Sequence, residues 1–152
     1  SVGAAPATLL GEPRMQRDMI LRHEATTATL AKYRDKPFDW KAGSTCIHLL
    51  RFHLRKLGYK PERLPRIRSA IGARRALEER GWKHVGDMLD TILPRLPGHA
   101  MMTLGDVAML RSEDGFGAIT ICAGPHKLLG WHEDAVGMKV LEPHEIEGAW
   151  RV

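Results

Sequence analysis

The sequence predicts an α+β fold in which N-terminal helices pack on a C-terminal antiparallel β-meander. Up to about residue 93, apolar side chains recur every three or four positions, which is the helical period. Beyond Gly98 they fall instead into short runs of strand formers separated by turn residues. Helices first and strands afterwards, rather than strict alternation, is the order of an α+β domain. Length and composition agree: 152 residues, 43% hydrophobic and 27% charged, are ordinary for one globular domain. A chain of this length buries roughly 70% of its unfolded surface without a disulfide or metal to hold it.

Residues 1–14, rich in Ala, Gly and Pro, read as a flexible or extended arm, with a leader and a tag remnant as further readings. Residues 15–152 are expected to form the single domain. From Gln16 to Asp35, Met19, Ile20, His23, Thr27, Leu30 and Ala31 fall on one helical stripe, and Pro37 ends the helix. Lys41-Ala42-Gly43 reads as a flexible loop. Ser44 or Thr45 then supplies the cap of a helix over Cys46–Leu57, whose buried stripe is Ile47, Leu50, Leu54 and Leu57. Gly58 stops it. Pro61 and Pro65 mark a broken connector, followed by a helix over Ser69–Arg80 closed by Gly81 and another from near Asp87 to Pro94. Four strands are expected: Asp106–Leu110, Gly117–Ala123, His126–Trp131 and Val136–Leu141, joined at Asp114-Gly115, at Ala123-Gly124-Pro125 and at His132-Glu133-Asp134.

Several classes fall away. The longest apolar stretch, Gly117 to Gly124, is far short of the roughly 20 residues that span a membrane. The first residues lack the basic opening and long apolar core of a secretory signal. Two cysteines make no disulfide framework and no CxxC pair.

The formal net charge is +5, and it is unevenly spread. Between Arg51 and Lys83 lie eleven basic residues against three acidic ones, Glu62, Glu78 and Glu79. Arg51, Arg55, Lys56, Arg63, Arg66, Arg68, Arg74 and Arg75 are the core of this stretch, and such a patch attracts polyanions. The ordinary alternative is a solvated basic face.

Cys46 opens a helix directly after a Gly-Ser-Thr loop, where unpaired amides and the helix dipole lower a thiol's pKa. A nucleophilic cysteine needs that placement, although a free cysteine is more often a small buried hydrophobe. Trp40, the loop to Cys46, its helix, Gly105-Asp106-Val107 and the run Gly117-Ala118-Ile119-Thr120-Ile121-Cys122-Ala123-Gly124 occur in a characteristic order. In that order the chain, from about Pro37 to the terminal Ala149-Trp150-Arg151-Val152, resembles the NlpC-type, papain-like cell-wall cysteine peptidases, and among them a branch found in phage and prophage tail genes. The resemblance implies Cys46 as nucleophile, a base histidine opening the second strand, a third polar residue to orient it, and peptidoglycan stem peptides as substrate. The chain departs from the family at Thr45, where Asp is usual, and at Ala118, where the base histidine belongs. A missing general base costs about 10²- to 10⁴-fold in rate. His132 and His126, near the next hairpin, are the candidate replacement bases. His48 and His53 lie on the cysteine helix at spacings that turn them away from the thiol.

The eight histidines show no HxxxH or HExxH spacing, so neither a metal nor another cofactor is expected. Trp40, Trp82, Trp131 and Trp150 read as core or interface anchors. The expectation is therefore a structural protein of the phage tail tip or tail assembly, with a degenerate peptidase site, assembled in the host cytoplasm and carried in the virion. Its expected partners are neighbouring tail-hub proteins. The alternatives are an active peptidoglycan peptidase or amidase using Cys46, and a small basic nucleic-acid-binding protein with DNA as partner.

Overall fold

The computed structural model describes residues 19–63, 66–131, 137–143 and 145–152. Among the described residues, four α-helices, α1 (Met19–Tyr33), α2 (Cys46–Lys56), α3 (Ala70–Glu79) and α4 (Val85–Ile92), and a 3₁₀ turn at His99–Met101 precede the strands. These are β1 (Val107–Leu110), β2 (Ala118–Gly124), β3 (Lys127–Gly130), β4 (Lys139–Leu141) and β5 (Ile146–Trp150). All pairings are antiparallel in the order β4-β3-β2-β1-β5. The fold is thus α+β, as its sequence order predicts. The arm at residues 1–14 and the turn at His132–Asp134 lie outside the described residues.

The sheet separates two apolar layers because side chains alternate along each strand. Ile119 and Ile121 of β2 face the main core with Leu49, Leu54, Leu89 and Trp150. Ala108, Leu110, Cys122 and Leu128 form a smaller cluster on the other face, against which Ala118 packs. Helix α2 lies against β2, the central strand, and against α1. Its buried stripe includes the expected Ile47, Leu50 and Leu54, because three- and four-residue spacing keeps them on one side. Gly58 follows with φ of 94°, the left-handed turn a helix end favours.

Two expectations fail instructively. On α1, Met19 and Ile20 are 54% and 71% exposed, and His23, Thr27 and Ala31 also face solvent. The buried face is Arg22, Ala25, Thr26, Thr29 and Tyr33. Polar side chains can occupy that face because each is satisfied. The Thr26 hydroxyl donates to the Arg22 carbonyl at 2.7 Å, and the Thr29 hydroxyl lies between the Ala25 carbonyl and His53. The second failure is the expected four-strand meander, which leaves out a strand. A fifth strand returns to pair with β1, setting Trp150 opposite Val107 and Ala149 opposite Ala108. Trp150 is fully buried; its indole N–H donates to Asp90 at 2.9 Å while Arg95 stacks on the ring.

Candidate functional site

The segment before Cys46 is tightly held rather than flexible. Asp39 and Ser44 exchange backbone hydrogen bonds at 3.0 Å, and the Asp39 carboxylate accepts from the amides of Lys41 and Ala42. The Ser44 hydroxyl donates to the Pro37 carbonyl. Thr45, extended at φ −127° and ψ 171°, caps α2 by accepting from the His48 amide. Cys46 is thereby fixed at the first position of the helix, and its side chain is buried.

That burial decides the thiol's state. It is the largest influence on Cys46 and pushes its pKa up, because a thiolate loses its water. The backbone amides of Ile119, Cys46 and Ile47 work the other way, while the charge of Asp114 adds to the upward push. Desolvation outweighs the helix end, so the lowered thiol pKa expected from position alone is not realised.

Contact with the Ile119 amide places the thiol at the opening of β2, one residue beyond Ala118, where the resemblance puts the base. The Ala118 methyl packs on the opposite face of the sheet and holds no proton acceptor. The histidines of α2 and of the β2–β3 turn are engaged or distant. His48 sets Nδ1 2.7 Å from its own cap, Thr45, and burial together with Arg51 and Lys32 lowers its pKa. His53, seven residues on, shares the face of Cys46 rather than turning away from it, but lies two turns along α2, fully buried between Thr29 and the Gly105 carbonyl. His126 sits in the β2–β3 turn at φ 60°. From Ile119 to Gly124 alone the strand runs roughly 17 Å, at about 3.3 Å per residue, so the structure separates His126 from Cys46. His132 lies outside the described residues.

Asp114, in the β1–β2 connection, is the charged neighbour that sequence patterning did not single out; it reads there only as a turn former. Burial works against its ionised form. Hydrogen bonds from the Ser112 hydroxyl and the Phe116 amide, with the charge of Arg74, outweigh this and hold its pKa below the usual value. Arg74 also donates to the Asp114 carbonyl at 2.8 Å, tying the connection to α3.

A second polar cluster escaped the sequence reading altogether. Arg22 of α1 reaches Asp106 Oδ1 at 3.0 Å, Thr103 Oγ1 at 3.0 Å, and the carbonyls of Leu104 and Val152. Asp106 also accepts from the amides of Thr103 and Val152. This buried pair joins α1 to the start of β1 and to Val152, two residues beyond β5. Glycine before Asp106 was its available signal, but a lone basic residue on a helix gives no hint of burial.

The basic residues divide among several places. Arg51 and Arg63 border a cavity between α2, α3 and α4, whereas Arg55 and Lys56 lie near Lys32. Arg66 and Arg68 sit on the connector, and Arg74 and Arg75 on α3, all exposed. Among the described residues, no three His, Cys, Asp or Glu side chains gather where they could hold a metal ion.

A helix-leading cysteine laid on the central strand of an antiparallel sheet defines an NlpC-type, papain-like fold. The chain superimposes on NlpC2 from Trichomonas vaginalis with a TM-score of 0.59 at 10% identity, over 93% of this chain and 51% of that one. It spans about half that protein's length, and the likeness is one of fold. By sequence, the chain belongs to the family described as a domain of unknown function, DUF6950, matched over residues 20–152. Comparison with curated proteins gives no match.

Proposed function

We propose that this NlpC-type domain is a non-hydrolytic structural component of a phage or prophage tail, retaining the peptidase framework without its chemistry. One observation carries the loss of chemistry: burial dominates the Cys46 thiol, and the other influences on it are backbone amides and the more remote charge of Asp114, with no imidazole among them. A buried thiol in the field of a carboxylate stays protonated at neutral pH, and a protonated thiol is a poor nucleophile. The tail assignment is supported by the motif order from Pro37 to Val152. In that setting the exposed basic residues of α2, α3 and their connector would meet acidic neighbours in the tail hub, and the protein would travel in the virion.

Purified protein incubated with peptidoglycan sacculi should release no stem peptides detectable by mass spectrometry, and Cys46→Ala should behave identically. Release that disappears in Cys46→Ala overturns the reading and establishes the peptidase instead. The tail assignment is tested separately, by whether the protein co-purifies with tail particles at a fixed stoichiometry.

A further inference from the structure

Away from the thiol, α2, α3, α4 and the connector enclose a cavity of about 400 Å³. Its floor is apolar, formed by Leu50, Leu54, Ile67, Leu77 and Trp82. That volume is well within the range of small-molecule pockets. At about 30 Å³ per water-sized unit it accommodates on the order of a dozen heavy atoms. An apolar recess alone would select nothing, but the rim does. Arg51, Lys60, Arg63 and Arg80 border it, and Glu62 is the one acid among the described lining residues. None of these cations makes a carboxylate ion pair among the described residues. Arg51 donates from Nε to the Glu62 carbonyl at 3.2 Å, and Arg80 to the Ala76 carbonyl at 2.9 Å. Their charge is therefore not cancelled within the protein, and it lies beside apolar surface.

We propose that this cavity binds a free amphipathic anion, with an aliphatic body among Leu50, Leu54, Leu77 and Trp82 and a carboxylate or phosphate head at Arg51 and Arg63. Burying the tail supplies the affinity in proportion to its apolar area. The arginines choose the sign of the head, since their planar guanidinium groups match carboxylate and phosphate oxygens.

Titration calorimetry with dodecanoate, below its micelle concentration, tests this. One saturable site is expected, with dodecyl phosphate binding comparably and uncharged dodecanol more weakly. Joint replacement Arg51→Gln with Arg63→Gln should weaken dodecanoate about twofold to thirtyfold, the range for two exposed ion pairs. Arg55→Gln with Lys56→Gln removes the same charge outside the cavity and should leave binding unchanged. Ala76→Phe, which fills the recess, should abolish it. The proposal is overturned by absence of saturable binding, by equal weakening from the two charge pairs, or by full binding to folded Ala76→Phe. Capture by phosphatidylglycerol vesicles without binding of free dodecanoate also overturns it, assigning the surface to a membrane. If Ala76→Phe does not fold, comparison of the two charge pairs decides.

Discussion

Replacing Arg22 with methionine is expected to cost about 3–5 kcal/mol of folding stability, the usual result of stripping one partner from a buried ion pair. Asp106 is fully buried, and after the change its carboxylate would keep the Thr103 hydroxyl, the amides of Thr103 and Val152, and one longer, half-exposed ion pair with Arg151. The same substitution frees the carbonyls of Leu104 and Val152, so α1, the start of β1 and the end of β5 lose a shared anchor. Arg22→Lys should recover only part of the loss, because an ammonium is a point donor and cannot span four acceptors on two sides. Urea unfolding at pH 7 measures both variants. A methionine variant losing under about 1 kcal/mol would contradict the account. Arg151, whose Nε lies 3.6 Å from Asp106 Oδ2, would then be the compensating cation.

The second large effect is a pH dependence written into His53. Burial lowers its pKa from 6.5 to about 4, outweighing the Gly105 carbonyl, which favours the charged ring; the charge of Arg22 acts with burial. The Nε2–H donates to that carbonyl at 2.8 Å, and Nδ1 lies 3.1 Å from the Thr29 oxygen, whose own proton goes to the Ala25 carbonyl. Between pH 6.5 and about 4 the unfolded chain therefore binds a proton that the folded chain refuses. Stability falls as the pH is lowered through that window, by about 3 kcal/mol in full, and is untouched by this residue above pH 7. His48 contributes in the same direction, so the diagnostic quantity is the difference between wild type and His53→Gln. That difference should shrink steadily from pH 7 to pH 4. Parallel stability curves for the two proteins would show that the ring is not held neutral by burial.

Much of the fold is legible in the chain because local rules and tertiary packing agree there. On α2, the Thr45 cap, the stripe Ile47, Leu50 and Leu54, and the Gly58 stop all point the same way. On α1 they conflict. Met19 and Ile20 attract an apolar reading, yet the buried face is chosen by Arg22, Thr26 and Thr29, whose hydrogen bonds run to residues as distant as Val152. Periodicity measures hydrophobicity and cannot see a polar group that finds its partner 130 positions away. β5 was missed for a related reason: Ile146-Glu147-Gly148-Ala149-Trp150 is short and contains glycine, and it becomes a strand by pairing with β1. At the candidate site, the position of Cys46 was readable from its cap. Its protonation state was not, because burial against the sheet and the field of Asp114 arise only in the folded chain.

The most direct test is the pH profile of alkylation at Cys46, followed by iodoacetamide labelling with site-resolved mass spectrometry so that Cys122 is read separately. An unactivated thiol predicts slow labelling at pH 7 and a rate still climbing beyond pH 8.5, about where a free cysteine reaches half ionisation. A rate already level at neutral pH, as for a thiolate paired with an imidazolium, would contradict the claim that burial holds the Cys46 thiol protonated.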